Sequence, residues 1–82
     1  MDLARNPRQL GSIIRRARKR LGWNQSQLGA KAGVGQDTIS LLETGNSSAN
    51  LQTIFAVLAA LDLEIRIAPR SKGTAADIEK LF

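Results

Sequence analysis

Cysteine and histidine are both absent from this 82-residue chain. Without them no disulfide braces the fold, and zinc fingers, cysteine–histidine nucleophiles and histidine general bases are excluded. Seven carboxylates remain, and no glycine-rich phosphate loop accompanies them. The sequence therefore predicts a protein that is not an enzyme and that holds neither a metal nor a cofactor.

Long apolar runs and aromatic residues are also scarce. No apolar run approaches the ~20 residues of a membrane span, and the polar N-terminus lacks the apolar core of a signal peptide. We therefore expect a cytoplasmic protein without a membrane partner. With no tyrosine, one tryptophan and two phenylalanines, the chain offers few stacking platforms, which places RNA binding behind the functions considered below.

The residues that are present suit one small folded domain, because 43% are hydrophobic and 23% are charged. A chain this short buries only roughly 60% of its unfolded surface, so pairing with a second copy would stabilise it. Lysine and arginine number 12 against seven acidic residues, and eight of the 12 lie within residues 1–31, whereas residues 32–64 contain none. The excess suits nucleic acid, an anionic membrane surface or an acidic protein, and charge alone leaves these open.

The first predicted helix starts at Pro7 and ends at Gly22. Its apolar stripe has helical spacing and comprises Leu10, Ile13, Ile14, Ala17 and Leu21. Arg18 lies at the border of the stripe, where a half-buried guanidinium needs a partner. The outer face carries Arg15, Arg16, Lys19 and Arg20, which form either a solvated surface or an anion-binding one.

Two short helices and a tight turn follow. Asn24 with Gln27 is typical of a capping box, which predicts a second helix over residues 25–32. Gly33 supplies a left-handed helix end, and a third helix runs from residue 35 or 36 to Glu43. Because helices joined by so short a turn cross steeply, the third helix is presented outward, as in DNA-binding helix-turn-helix units.

The exposed face of the third helix carries small or hydrogen-bonding side chains: Gln36, Asp37, Thr38 and Ser40. Glutamine pairs with the N6 and N7 edge of adenine, aspartate accepts from cytosine N4, and threonine or serine suits either base edges or phosphates. The alternative is that these are ordinary first-turn residues, with Asp37 favoured there by the helix dipole. Leu41 is either core or part of an interface.

Beyond a loop, Asn50 caps a fourth helix, whose apolar stripe comprises Leu51, Ile54, Phe55, Leu58 and Leu61, with Val57 added. The period then changes to strict alternation over residues 63–68, which predicts a half-buried strand ended by Pro69. A lone strand needs a partner, and the same strand of a second subunit supplies one across a two-fold axis through Leu63, Ile65 and Ile67. The alternative is an extended segment lying on its own fourth helix.

We divide the chain into a helix-turn-helix domain over residues 1–62, a dimerising strand over residues 63–69 and a flexible tail over residues 70–82. The tail is polar at first, and residues 75–82 form a short amphipathic helix at most. Its apolar tip either docks on another protein or frays, as termini commonly do.

Several of these segments together resemble the Cro/lambda-repressor-like (XRE) helix-turn-helix family. They are the run from Arg18 to Gly29 (RKRLGWNQSQLG), the pair Gly33-Val34, the run Thr38-Ile39-Ser40, Glu43 and Gly45. The resemblance covers about residues 10–61, and the strand after helix 4 is most like that of HipB-type antitoxins. It implies an all-α, lambda-repressor-like domain of four to five helices with a C-terminal β-strand pairing across a homodimer.

The resemblance also assigns roles to residues. Asn24 and Gln25 match positions that hold phosphates at the start of helix 2, and the four polar residues of the third helix match positions facing the major groove. We expect Lys31 and Asn46 to complete the DNA-binding set. Arg18 and Glu43 match a structural ion pair that ties helix 1 to helix 3.

What the resemblance implies for function is a homodimeric transcriptional repressor. It would bind palindromic operator DNA and act as the antitoxin of a HipBA-type module, neutralising a HipA-type kinase toxin. The alternative is a protein-interaction module that neutralises its partner without sequence-specific DNA binding.

Overall fold

A computed structural model describes residues 2–46 and 48–70 of the chain. It contains four α-helices, which are α1 (Pro7–Arg20), α2 (Gln25–Ala32), α3 (Gln36–Thr44) and α4 (Leu51–Ala60). No β-strand occurs within the described ranges. The expected all-helical fold is therefore confirmed, whereas the strand that would pair across a dimer is not formed within the single chain.

Asparagine side chains start three of the helices. Asn6, Asn24 and Asn50 each accept a hydrogen bond from the backbone N–H three residues later. Pro7 is the first residue of α1, where its missing N–H costs nothing. At Asn24 the capping box is complete, because the Asn24 N–H donates in turn to Oε1 of Gln27 at 2.8 Å. The helix starts predicted from Pro7, Asn24 and Asn50 are confirmed.

The α4 end shows how these helices stop. Asp62 takes a left-handed conformation with φ 58°, and the Leu63 N–H donates to the Leu58 carbonyl at 2.8 Å. This is the Schellman arrangement, in which a left-handed residue lets the chain return onto the last turn. A glycine occupies the corresponding left-handed position after α1, α2 and α3. Only α4 uses a residue with a side chain there.

The core is formed where the four helices meet. Its buried apolar residues are Ile14, Ala17, Leu28, Ile39, Leu42, Val57, Leu58 and Leu61. Gly11 sets how closely α1 approaches α3, since a methyl group there would lie 2.2 Å from the carbonyl oxygen of Leu42. That approach brings Arg18 and Glu43, on the same two helices, into the interior.

Three apolar residues expected in the core are exposed instead. Leu21, Leu51 and Phe55 are 48%, 70% and 52% accessible. Phe55 and Val57 lie about 200° apart around a helix, so one face of α4 cannot bury both residues. The face that carries Val57 is the one that becomes buried. Leu21 comes after the last helical residue of α1, at its C-cap. The prediction that Leu21, Leu51 and Phe55 belong to the core is therefore wrong.

Residues 63–69 run without regular secondary structure in the single chain. Leu63 is half-buried and packs against the core. Ile65 and Ile67 are 44% and 95% exposed, so the segment does not lie flat on its own helix. The possible fifth helix over residues 75–82, and the tail beyond residue 70, fall outside the described residues.

Candidate nucleic-acid interface

The turn between α2 and α3 is built from residues 33–35. Gly33 adopts a left-handed φ of 75°, and Val34 then turns inward to pack against the core. A methyl group on Gly29 would lie 2.7 Å from the Val34 carbonyl oxygen, so the turn sits directly on α2. This tight connection fixes the position of the start of α3 relative to the start of α2.

A buried ion pair links α1 to the end of α3. Arg18 donates from Nε to Oε2 of Glu43 at 2.6 Å and from Nη2 to Oε1 at 2.9 Å. Its Nη1 donates to the Trp23 carbonyl at 2.8 Å. The hydrogen bond to Glu43 raises the pKa of Arg18 above its ordinary value; the attraction of the carboxylate adds to this, and partial desolvation opposes it. Each nitrogen of the Arg18 guanidinium thus has a hydrogen-bond partner within the protein.

Gln25 extends this pair to the surface. Its Nε2 donates to Oε1 of Glu43 at 3.3 Å, while its Oε1 accepts from Nε2 of Gln36 at 2.6 Å. Gln25 is half-buried and Gln36 is exposed. A chain of hydrogen bonds that begins in the core thereby orients the side-chain amide of Gln36. The Oε1 atom of Gln36 takes no part in that chain.

The starts of α2 and α3 differ in how they are capped. The Asn24 side chain accepts from the Gln27 N–H at 2.7 Å, whereas Gly35 gives α3 no side-chain cap. Asp37 Oδ1 lies 2.9 Å from where a Cβ on Gly35 would sit, so this carboxylate lies beside the first turn of α3. Its position suits the positive end of the helix dipole.

The most exposed ridge of α3 runs through Asp37, Leu41 and Thr44, whereas Thr38 and Ser40 are half-buried. Leu41 is 49% accessible, which excludes it from the core. The sequence leaves its role open between core and interface, because Leu41 stands beside the equally apolar Leu42. The signal that resolves it is spacing, because Leu41 follows Asp37 by four residues and so shares its face.

Lys31 and Asn46 lie at other edges of the unit. The Lys31 ammonium sits 4.8 Å from the centre of the Trp23 ring, a cation–π contact at the end of α2. Asn46 is exposed beyond the end of α3, where its N–H donates to the Leu41 carbonyl at 3.1 Å. The structure therefore brings Gln25 and Gln36 into contact, and neither Lys31 nor Asn46 takes part in that contact.

Positive charge is concentrated on α1. Exposed basic residues follow its outer face, namely Arg8, Arg15, Arg16, Lys19 and Arg20. Asp2 pairs with Arg16 at 3.3 Å, an exposed contact of little energetic weight. By contrast, α2 and α3 carry only Lys31 as a cation.

In the two described ranges, no three histidine, cysteine, aspartate or glutamate side chains come together as a metal site. Among the helices of that part of the chain, none has the length and apolarity of a membrane span.

Comparison with known proteins identifies the family to which this arrangement of helices belongs. The family model Helix-turn-helix matches residues 14–67, from α1 to the segment after α4. Antitoxin HipB of Escherichia coli (strain K12) is 31% identical over 75 residues, covering 92% of this chain and 85% of that protein. This chain is a HipB-like member of the XRE helix-turn-helix family. A second Antitoxin HipB, from an Escherichia coli O6:H1 strain, is 36% identical over 62 residues, which are 76% of this chain and 66% of that protein.

Solved structures agree with this family assignment. A structure described as "HipB-O4 20mer complex" matches with a TM-score of 0.78 and 31% identity, covering 87% of the HipB-like chain and all of that one. Another, described as "Structure of HipA-HipB-O2-O3 complex", matches with a TM-score of 0.77, 31% identity and the same coverage. The predicted resemblance to HipB-type proteins is confirmed.

Proposed function

We propose that this protein is a non-enzymatic, cytoplasmic repressor that binds palindromic operator DNA as a homodimer and serves as the antitoxin of a HipBA-type module. The HipB-like family assignment supports this, as do relatives described as complexes with 20mers, which we interpret as operator duplexes. The observation that carries DNA reading is the hydrogen bond that Gln36 Nε2 donates to Gln25 Oε1 at 2.6 Å. It holds an exposed glutamine amide at the start of α3.

Base reading would use this amide and its neighbours. A glutamine is suited to adenine, and Asp37 can accept a hydrogen bond from cytosine N4. Thr38 and Ser40 are half-buried beside them and suit base edges or phosphates. Because an oriented amide need not be ordered on binding, the hydrogen bond that Gln36 donates to Gln25 favours specific over nonspecific contact.

Phosphate contacts would position the domain. The exposed Asn24 caps α2 with its oxygen and keeps its Nδ2 for a phosphate, at a helix start that already favours anions. Lys31 and Asn46 extend the contact to either side. The basic face of α1 adds longer-range attraction, so binding should weaken steeply as salt rises.

A homodimer would bring two copies of α3 to one DNA duplex. Residues 63–69 leave Ile65 and Ile67 exposed in the single chain, and the family model extends to residue 67. We propose that this segment pairs with its copy as a dimerising strand after a domain formed by residues 1–62. Exposed Leu51 and Phe55 on α4 offer further apolar surface. Two half-sites would then lie roughly 34 Å apart.

The proposed protein partner is a HipA-like kinase toxin. Its support is the relative described as a complex of HipA and HipB. In this role the chain would neutralise the toxin. The tail over residues 70–82 would offer one surface for contact with the toxin. Deleting residues 75–82 should leave DNA affinity unchanged and weaken neutralisation if the tail docks on the toxin.

Fluorescence anisotropy tests the DNA-binding part of the proposal. The protein is titrated onto a labelled duplex from its own promoter and onto a scrambled duplex, at several salt concentrations. We expect tight binding to the promoter only, with a steep salt dependence. Gln36→Ala should remove most of the preference, while Gln52→Ala, an exposed glutamine on α4, serves as the matched control.

The second candidate is a protein-interaction module without sequence-specific DNA binding. The charge distribution favours it, because α2 and α3 together carry one cation and Asp37 places a carboxylate on the outer ridge of α3. Equal and weak binding to both duplexes would support this candidate and contradict the repressor.

A further inference from the structure

Leu41 is an apolar side chain at the centre of an otherwise polar ridge. It is 49% accessible, and its neighbours on the ridge are Asp37 and Thr44. The core contacts of α3 are made by Ile39 and Leu42, so half of the Leu41 side chain is available to a partner. The Thr44 hydroxyl donates to the Leu41 and Ser40 carbonyls, so its proton is used within α3.

The chemistry of a leucine restricts what it can read in DNA. In the major groove, adenine, guanine and cytosine present hydrogen-bonding groups that a leucine would cover without satisfying. Thymine alone adds a C5-methyl group, which is matched by apolar contact. We infer that Leu41 is a specificity-determining residue that packs on the methyl group of a thymine in each half-site. This inference rests on the proposed DNA-binding function and names a base that the function alone does not require.

The helix also sets the position of that thymine. Four residues from Asp37 to Leu41 rise about 6 Å along α3. Successive base pairs are about 3.4 Å apart, and a 6 Å step along α3 projects onto at most about two of these spacings, so the thymine lies within about two base pairs of the base that Asp37 contacts. Because aspartate suits cytosine, the half-site should contain a cytosine and a thymine with this separation.

The test starts from duplexes selected by the full-length protein from a random-sequence pool. Each thymine of the selected duplex is replaced in turn by deoxyuridine, which removes only the methyl group. Removing one buried methyl should weaken binding about four-fold for each half-site. Wild type should therefore lose affinity at one thymine per half-site and at no other.

Leu41→Ala provides the second arm of the experiment. This variant should bind the selected duplex more weakly than wild type and should no longer distinguish thymine from uracil at that position. Leu21→Ala is the matched control, because Leu21 is 48% accessible but lies outside α3. It should keep the discrimination, and circular dichroism verifies that both variants are folded.

Three results would overturn the inference, and they distinguish its failure from that of the DNA-binding proposal. If a sequence is selected but no thymine is sensitive to uracil, or Leu41→Ala keeps the sensitivity, Leu41 does not read a methyl group and the repressor proposal stands. If no sequence is enriched, the DNA-binding proposal fails and this inference fails with it.

Discussion

Arg18 and Glu43 are 25 positions apart in sequence and meet in the interior through two hydrogen bonds. Both residues are only 7% accessible. A charge removed from water in this way depends on its partner, and the paired charges in turn fix how α1 lies against the end of α3. The same carboxylate also receives the amide of Gln25, so the pair is connected to the proposed reading surface.

Breaking this pair should destabilise the fold strongly. Glu43→Leu leaves the Arg18 guanidinium buried without its carboxylate, which should lower the free energy of unfolding by about 3–5 kcal/mol. Adding Arg18→Met to this variant should restore much of the loss, because both charges are then gone. Urea denaturation followed by circular dichroism measures both effects. A single variant costing less than about 1 kcal/mol would contradict the assigned role.

Gln25 should control specificity more than stability. Gln25→Ala removes the hydrogen bonds to Glu43 and Gln36, which should cost about 1 kcal/mol of stability and release the Gln36 amide. Anisotropy on promoter and scrambled duplexes separates two roles of Gln25. If it positions Gln36, affinity falls on the promoter alone; if it only holds a phosphate, affinity falls equally on both.

Gly11 should tolerate no side chain. In Gly11→Ala the new methyl group would lie 2.2 Å from the Leu42 carbonyl oxygen and 2.7 Å from that of Glu43. These are backbone atoms, so α1 and α3 must move apart and strain the ion pair. We expect a loss of about 3 kcal/mol or more in unfolding free energy, measured by urea denaturation. Ser12→Ala, on the exposed side of α1, is the control and should be nearly neutral.

Asp62 offers a stabilising substitution. Its left-handed φ of 58° is costly for a residue with a side chain, and its carboxylate lies at the negative end of α4. Asp62→Gly should therefore raise the free energy of unfolding by about 0.5–1 kcal/mol. Gly22→Ala tests the same position after α1, where nothing lies within 4 Å of the new methyl group. A loss of about 1 kcal/mol there would isolate the backbone cost from any packing effect.

Much of this fold follows from local chemistry in the sequence. Capping residues such as Asn24 and Asn50 and the left-handed Gly33 act within a few positions, so they located helix ends almost to the residue. The side of a helix that becomes buried depends on neighbours distant in sequence. The apolar character of Phe55 therefore predicts a core position, although α4 turns Val57 inward and leaves Phe55 exposed.

The candidate site, like the fold, was predictable from the sequence only in part. Polar residues at the start of α3 could be named from the sequence, because their chemistry suits bases and phosphates. The hydrogen bond from Gln36 to Gln25 could not, since it depends on how α2 and α3 approach one another across the turn. The sequence leaves Leu41 open between core and interface, because an apolar residue beside Leu42 fits both until the buried face is known.

Dimerisation through residues 63–69 is the prediction on which the repressor depends most. Replacing both Ile65 and Ile67 by aspartate would place like charges on the apolar side of the proposed strand pair, where each would face the other subunit. Sedimentation should then show a monomer, and promoter affinity should fall because one reading helix is lost per complex. Glu64→Gln with Arg66→Gln, on the alternate side of the same segment, is the matched control and should remain dimeric. An aspartate variant that sediments as a dimer would exclude strand pairing and direct attention to the exposed Leu51 and Phe55 of α4 as the remaining contact.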